Sequence, residues 1–165
     1  MIALFEINLL KIKTATALLL VASLFTAFKT KRENMETKFA YTILYVRDVE
    51  KSIKFYEKAF GFTRKFVTPE NDYGELLVGE TTLSFASITL AKSNVENGFI
   101  ESSLTNKPFG IEIAFTTKDV DATVKSSIEA GATLVAEPKT KPWGQIVAYV
   151  RDNEGFLIEI CTPMN

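Results

Sequence analysis

The feature that most restricts the fold of this chain is an internal duplication. A shift of 71 residues lays Tyr41 on Glu112, Leu44 on Phe115, Asp48 on Asp119, Val49 on Val120, Ser52 on Thr123 and Ile53 on Val124. The glycines placed to end the two helices, Gly61 and Gly131, fall one residue off that register. Each unit has the same predicted order of strand, helix and three strands, because runs of period 2 surround one segment of helical spacing. In the first unit, Phe39–Val46 is a predicted strand and Asp48 an N-cap, and Gly61 closes the helix. Strands follow at Thr63–Val67, Tyr73–Val78 and Thr81–Ser87. Lys92 to Pro108 reads as a linker with one helical turn. The second unit offers a strand at Gly110–Thr116, a helix from Asp119 to Gly131, and strands at Thr133–Ala136, Gln145–Val150 and Phe156–Cys161. Pro138 to Gly144 and Asp152 to Gly155 are expected loops. Two such units, 38–90 and 108–163, make an α+β domain with each helix on one face of its own sheet.

Strand parity then sorts side chains into two faces. Ile111, Ile113 and Phe115 share a face, as do Phe156, Ile158 and Ile160, and these apolar sets are expected under the helix. Glu112, Glu159 and Cys161 therefore point to the opposite, concave side. By the same parity Leu44, Val46, Leu83 and Phe85 pack inward, while Tyr41, Ile43, Tyr45 and Ser84 face the groove. A carboxylate between two isoleucines is costly if buried without a partner, so Glu112 either sits at a rim, pairs with a base such as Arg151, or serves a site. The two acids, at inward positions of a doubled fold, are expected to look into one hollow from its mirrored halves. Acids perturbed in a cleft are functional candidates.

Composition removes several classes of chemistry. The chain has no histidine among its 165 residues, so no imidazole-ligated metal, Ser-His-Asp triad or imidazole acid–base step is encoded. Its single cysteine excludes an internal disulfide and a cysteine-clustered metal centre. The 19 basic and 20 acidic residues leave no basic excess for a nucleic-acid backbone. Five of the basic and two of the acidic residues fall in positions 1–34, so the remainder carries 14 and 18, a net of −4. Those first 34 residues read as a hydrophobic leader, with an uncharged run at 14–28 flanked by lysines. Two readings stay open: a signal or anchor that gives membrane contact through 14–28 and an exported or anchored protein, or upstream sequence ahead of a true start at Met35 and a cytoplasmic domain. Residues 35–165 form the domain proper.

The stretches Tyr41-Thr-Ile-Leu-Tyr-Val-Arg-Asp-Val-Glu-Lys-Ser-Ile-Lys-Phe-Tyr56, Gly61-Phe62, Gly110 to Val120, Lys141-Pro-Trp-Gly144 and Tyr149 to Ile160 resemble the vicinal oxygen chelate superfamily of glyoxalases, extradiol dioxygenases and bleomycin-resistance proteins. The resemblance spans residues 38–163 and implies paired βαβββ modules whose curved sheets form a groove, in a homodimer. It also implies inward metal positions, occupied here by Tyr41, Ser84, Glu112 and Glu159. Two carboxylates, a phenol and a hydroxyl make a weak all-oxygen set, so no cofactor is expected; a divalent metal, if held, rests on Glu112 and Glu159. The metal-free, drug-sequestering branch fits better: a small organic ligand, flat or cationic, lined by Tyr41, Tyr45, Ser84, Glu112, Trp143, Tyr149 and Glu159. The alternative is a glyoxalase-type lyase or isomerase with Glu159 or Glu112 as catalytic base.

Overall fold

The two halves of the duplication fold as two separate four-stranded sheets, each bearing one long helix, in a computed structural model that describes residues 36–164. The leader therefore lies outside the described residues. From Ala40 onward the chain is one compact unit. No helix among the described residues is long and apolar enough to cross a membrane.

Sheet 1 comprises β1 (Thr42–Val46), β2 (Thr63–Val67), β3 (Tyr73–Val78) and β4 (Thr81–Ser87) in the order β1-β4-β3-β2. The strand β1 runs parallel to β4, and the other pairs are antiparallel. Sheet 2 repeats this with β5 (Glu112–Thr116), β6 (Thr133–Thr140), β7 (Ile146–Arg151) and β8 (Leu157–Cys161) in the order β5-β8-β7-β6. The registers are equivalent, with Ile43 opposite Ser84 in one sheet and Ala114 opposite Glu159 in the other. Ser84 and Glu159 thus hold the same place, as do Tyr41 and Glu112.

The helices start and stop where their caps dictate. Asp48 accepts from the Lys51 amide at 2.9 Å ahead of α1 (Val49–Phe60), and Gly61 ends it at φ 69°. A short α2 (Ile88–Asn94) follows β4 directly, capped by Ser87. The third helix, α3 (Val120–Ala130), is capped by Asp119 and ended by Gly131. On α1, Val49, Ile53, Tyr56 and Ala59 recur at helical spacing and are buried on sheet 1 and on α3. One apolar cluster runs through both modules, from Leu44, Ile53 and Phe85 to Val124, Val150 and Ile160. Where α1 crosses β3 the strand favours glycine: a Cβ at Gly74 would lie 2.6 Å from Ile53 Cδ1 and 3.1 Å from the Phe66 carbonyl oxygen.

Polar contacts seal the two helices to each other, with Lys58 Nζ donating to the Glu129 carbonyl and Ser126 Oγ to the Lys58 carbonyl. A second junction is buried. The Tyr56 hydroxyl of α1 donates to Asp152 Oδ2 at 2.9 Å, in the β7–β8 turn of the other module. Asp152 also accepts from the Glu154 and Phe156 amides. Arg47 binds Glu154 at 2.6 Å and the Ser102 carbonyl at 2.7 Å.

Several local expectations need correction. The helix expected as one turn inside the linker 92–108 starts earlier and is longer: Ser87 caps α2, which runs from Ile88 to Asn94, and the irregular connector begins after it. The expected loop from Pro138 is still strand, because bulged pairing with β7 carries β6 to Thr140. Ile111 is not under a helix; it precedes β5 and is 76% exposed.

Candidate functional site

Sheet 2 turns a patch of hydrogen-bonding groups away from the helices. On β8 the concave side chains are Leu157, Glu159 and Cys161; on β7 they are Val147, Tyr149 and Arg151; on β5 they are Glu112, Ala114 and Thr116. Tyr149 lies directly across from Glu159, and its hydroxyl donates to Glu159 Oε2 at 2.7 Å. That bond is the main reason the phenol is pushed up to about 12. Glu112 is diagonal to Glu159 on the adjacent strand. Glu112 is exposed at the rim of the sheet face, yet desolvation there, then the charge of Glu159, hold its carboxyl above the usual range. The Cys161 thiol, buried beside the same acid, rises to about 11 and stays protonated. Lys141 stands 6.0 Å from the centre of the Tyr149 ring, with no carboxylate within ion-pair distance.

The expected hollow between mirrored halves is not what the acids form. Glu112 and Glu159 both belong to the second module, on neighbouring parallel strands, because their equivalents in the first are Tyr41 and Ser84. They meet on one sheet rather than across two. Arg151 does not neutralise Glu112 either. Its guanidinium donates to the carbonyls of Gly155, Ser103, Leu104 and Asn106, so it anchors the connector.

The remaining candidates lie apart from the acid pair in different ways. Ser84 is fully buried on sheet 1, and its hydroxyl has no hydrogen-bond partner. Tyr41 precedes β1 and is 49% exposed. Tyr45 stacks at 4.7 Å on Phe99 of the connector. Trp143 sits in the β6–β7 turn, 65% exposed, with Nε1 donating to Gln145 Oε1 at 2.8 Å.

Sequence parity alone gave no signal for Phe99, Tyr73 or Glu75. On sheet 1 Tyr73 donates to Glu75, and Lys65 pairs with that acid, which it draws below its ordinary range. In its expected loop Asp152 is fully buried, because the Asp-x-x-Gly turn folds its carboxylate back onto the Glu154 and Phe156 amides. A cavity of about 170 Å³ also escapes the sequence; it lies at the seam between β1 and β5 and is lined by Ile43, Leu44, Ile113, Phe156 and Leu157 among others.

These side chains do not fit a resident divalent cation. Among the described residues no three His, Cys, Asp or Glu side chains converge as metal ligands. Two carboxylates, one already accepting from a phenol, fall short of the oxygen shell that magnesium or calcium takes.

A doubled βαβββ unit with equivalent inward positions defines a paired-module α+β protein with its groups of interest on the concave sheet faces. The profile of the Glyoxalase/Bleomycin resistance protein/Dioxygenase superfamily matches residues 38–160, and the chain belongs to that family. A Salmonella typhimurium protein described as a virulence protein is 29% identical over 124 residues, covering 73% of this chain and 80% of its own. Among solved structures, a glyoxalase-related enzyme from Fulvimarina pelagi aligns with a TM-score of 0.67 at 21% identity, covering 78% of this chain and 89% of that one. A family enzyme from Burkholderia phytofirmans aligns at 0.64 and 25% identity, with 76% and 98% covered.

Proposed function

We propose that this protein binds a small cationic organic molecule on the concave face of sheet 2, without a histidine-ligated metal. The observation that carries the reading is the pair Glu112 and Glu159, two acids side by side with no basic side chain within ion-pair distance of either. A protonated amine between them would relieve the repulsion that raises Glu112, which none of the described basic side chains does by ion pairing. Tyr149 fixes Glu159 in place, and its ring, 6.0 Å from the Lys141 ammonium, is a surface that a cation can approach. Trp143 and Tyr41 stand exposed at the periphery, Trp143 on a turn, where binding contacts gather. Family membership supports a ligand groove of this kind but leaves its chemistry open.

Titration with an aromatic amine, followed by calorimetry and by Trp143 fluorescence, tests the reading. Saturable binding that weakens at least tenfold in both Glu112→Gln and Glu159→Gln is expected. Equal binding by wild type and both variants would overturn it.

One observation favours a second reading. A carboxyl held above its ordinary range, as Glu112 is, suits proton abstraction beside a carbonyl. Turnover of methylglyoxal hemithioacetal that is lost in Glu112→Gln would replace simple binding with a lyase or isomerase role.

A further inference from the structure

Two sheet edges meet at the seam of the modules without joining. The outer strand of sheet 1 is β1 and that of sheet 2 is β5, and the sheets remain separate. Strands paired into one sheet would lie about 4.8 Å apart and leave no room between them. Here a cavity of about 170 Å³ separates them, walled on one side by Ile43 and Leu44 and on the other by Ile113, Phe156 and Leu157. Phe109 and the exposed Ile111 border it from the connector side. Apolar cavities of about 150 Å³ accept benzene or xenon; this recess, open to solvent past Ile111 and with Thr42 beside its apolar lining, has the size for a six-membered ring.

Its position ties it to the acid pair. Leu157 is both a lining residue and the register partner of Glu112, whereas Ile113, although next to Glu112 in sequence, turns to the other face of β5. Leu157 also shares the concave face with Glu159. The recess therefore reaches the acid-bearing face through Leu157, and neither carboxylate lines it.

We propose that the β1–β5 seam cavity is a specificity pocket that takes a ring-sized apolar group of the cationic ligand bound on sheet 2. The inference rests on the reading of sheet 2 given above. Its ligand class is accordingly narrower: an amine carrying a compact aromatic or alicyclic group within a few bonds of its charge. Each methylene buried there would raise affinity about fourfold until the pocket is full.

Two probes separate the pocket from the acids. Neutral benzene addresses the pocket alone, and methylamine the acids alone; benzylamine addresses both. Binding is followed through the methyl NMR signals of Ile43 and Ile113. Benzene is expected to shift both signals saturably, and Ile43→Phe, which fills the cavity, to weaken it at least tenfold. Benzylamine should bind wild type at least tenfold more tightly than methylamine, and Ile43→Phe should abolish that gain while leaving methylamine unchanged. Ile113→Ala, which enlarges the cavity, should move the preference toward a naphthyl amine, a readout that survives if the filled variant does not fold. Absence of benzene binding, or an undiminished benzylamine gain in Ile43→Phe, overturns the pocket and leaves the acid site standing. Methylamine binding that ignores Glu112→Gln overturns the acid site instead.

Discussion

The two modules share a register yet treat their charges in opposite ways. In the first, Arg64 grips Glu50 and Glu57 together, Lys54 also reaches Glu50, and Lys65 covers Glu75. The carboxyls of Glu50 and Glu75 accordingly fall below their ordinary values. In the second, none of the described basic side chains pairs with a carboxylate; its one salt-bridged acid, Glu154, takes Arg47 from the first module. Glu112 and Asp152 rise instead. The duplicated scaffold thus carries one half whose concave acid is neutralised from within and one whose acids are left to an outside partner. The difference lies in single side chains at equivalent places: Ser84 against Glu159, Tyr41 against Glu112.

The largest effect expected from this contrast concerns stability rather than binding. Burial pushes Asp152 up to about 6, against the hydrogen bonds that favour its carboxylate. An acid whose folded value is raised contributes stability that is full below its unfolded value and is lost as pH rises through the folded one. Between pH 4 and pH 7 wild type should therefore lose about 2 kcal/mol that Asp152→Asn does not lose. Urea denaturation of the two proteins across that range checks it; parallel curves would remove Asp152 from the contrast. Acids of the first module act the other way. Their lowered values give stability present at neutral pH and lost as pH falls through the folded values, below about 4.

The contrast can also be erased by design. Ala114 lies on the concave face directly opposite Glu159, so Ala114→Lys would give sheet 2 what Lys65 gives sheet 1. Cationic-probe affinity should fall about tenfold, or about 1.4 kcal/mol for a partly solvated ion pair and its charge repulsion, as read by calorimetry. A smaller, pH-dependent effect follows from Glu112. A proton and a cation compete for it, so cation affinity should climb a few-fold as pH rises through its titration, above the ordinary carboxylate value, and Glu112→Gln should flatten the climb. The smallest effect belongs to Lys65→Met. It should return Glu75 upward toward its ordinary value in a carboxyl NMR titration and cost less than about 1 kcal/mol in stability, as a half-exposed ion pair would.

Most of the fold was legible because its signals are local. Asp48 with Gly61 and Asp119 with Gly131 bracket both long helices, and three strands of the first module fall within their expected bounds. What parity could not convey is distance across the chain. It put Glu112 and Glu159 on one face, but assigning them to separate halves missed that β5 pairs with β8 inside one module. It likewise could not tell that Arg151 would be drawn off to four carbonyls, or that Phe99 would reach back 54 positions to Tyr45. The seam cavity is legible in no segment at all, since it exists only between two.

The grip of Arg151 on the chain at Ser103, Leu104 and Asn106 has a consequence for how the two modules can be rewired. A Cβ at Gly155 would strike the Ser103 backbone at 2.7 Å and the Arg151 guanidinium at 2.8 Å, so this stretch threads a slot with no slack. New chain ends or a grafted peptide placed between Val95 and Gly98, ahead of the slot, should leave both halves assembled, whereas the same surgery at 103–106 should cost a guanidinium its acceptors and unseat the second half.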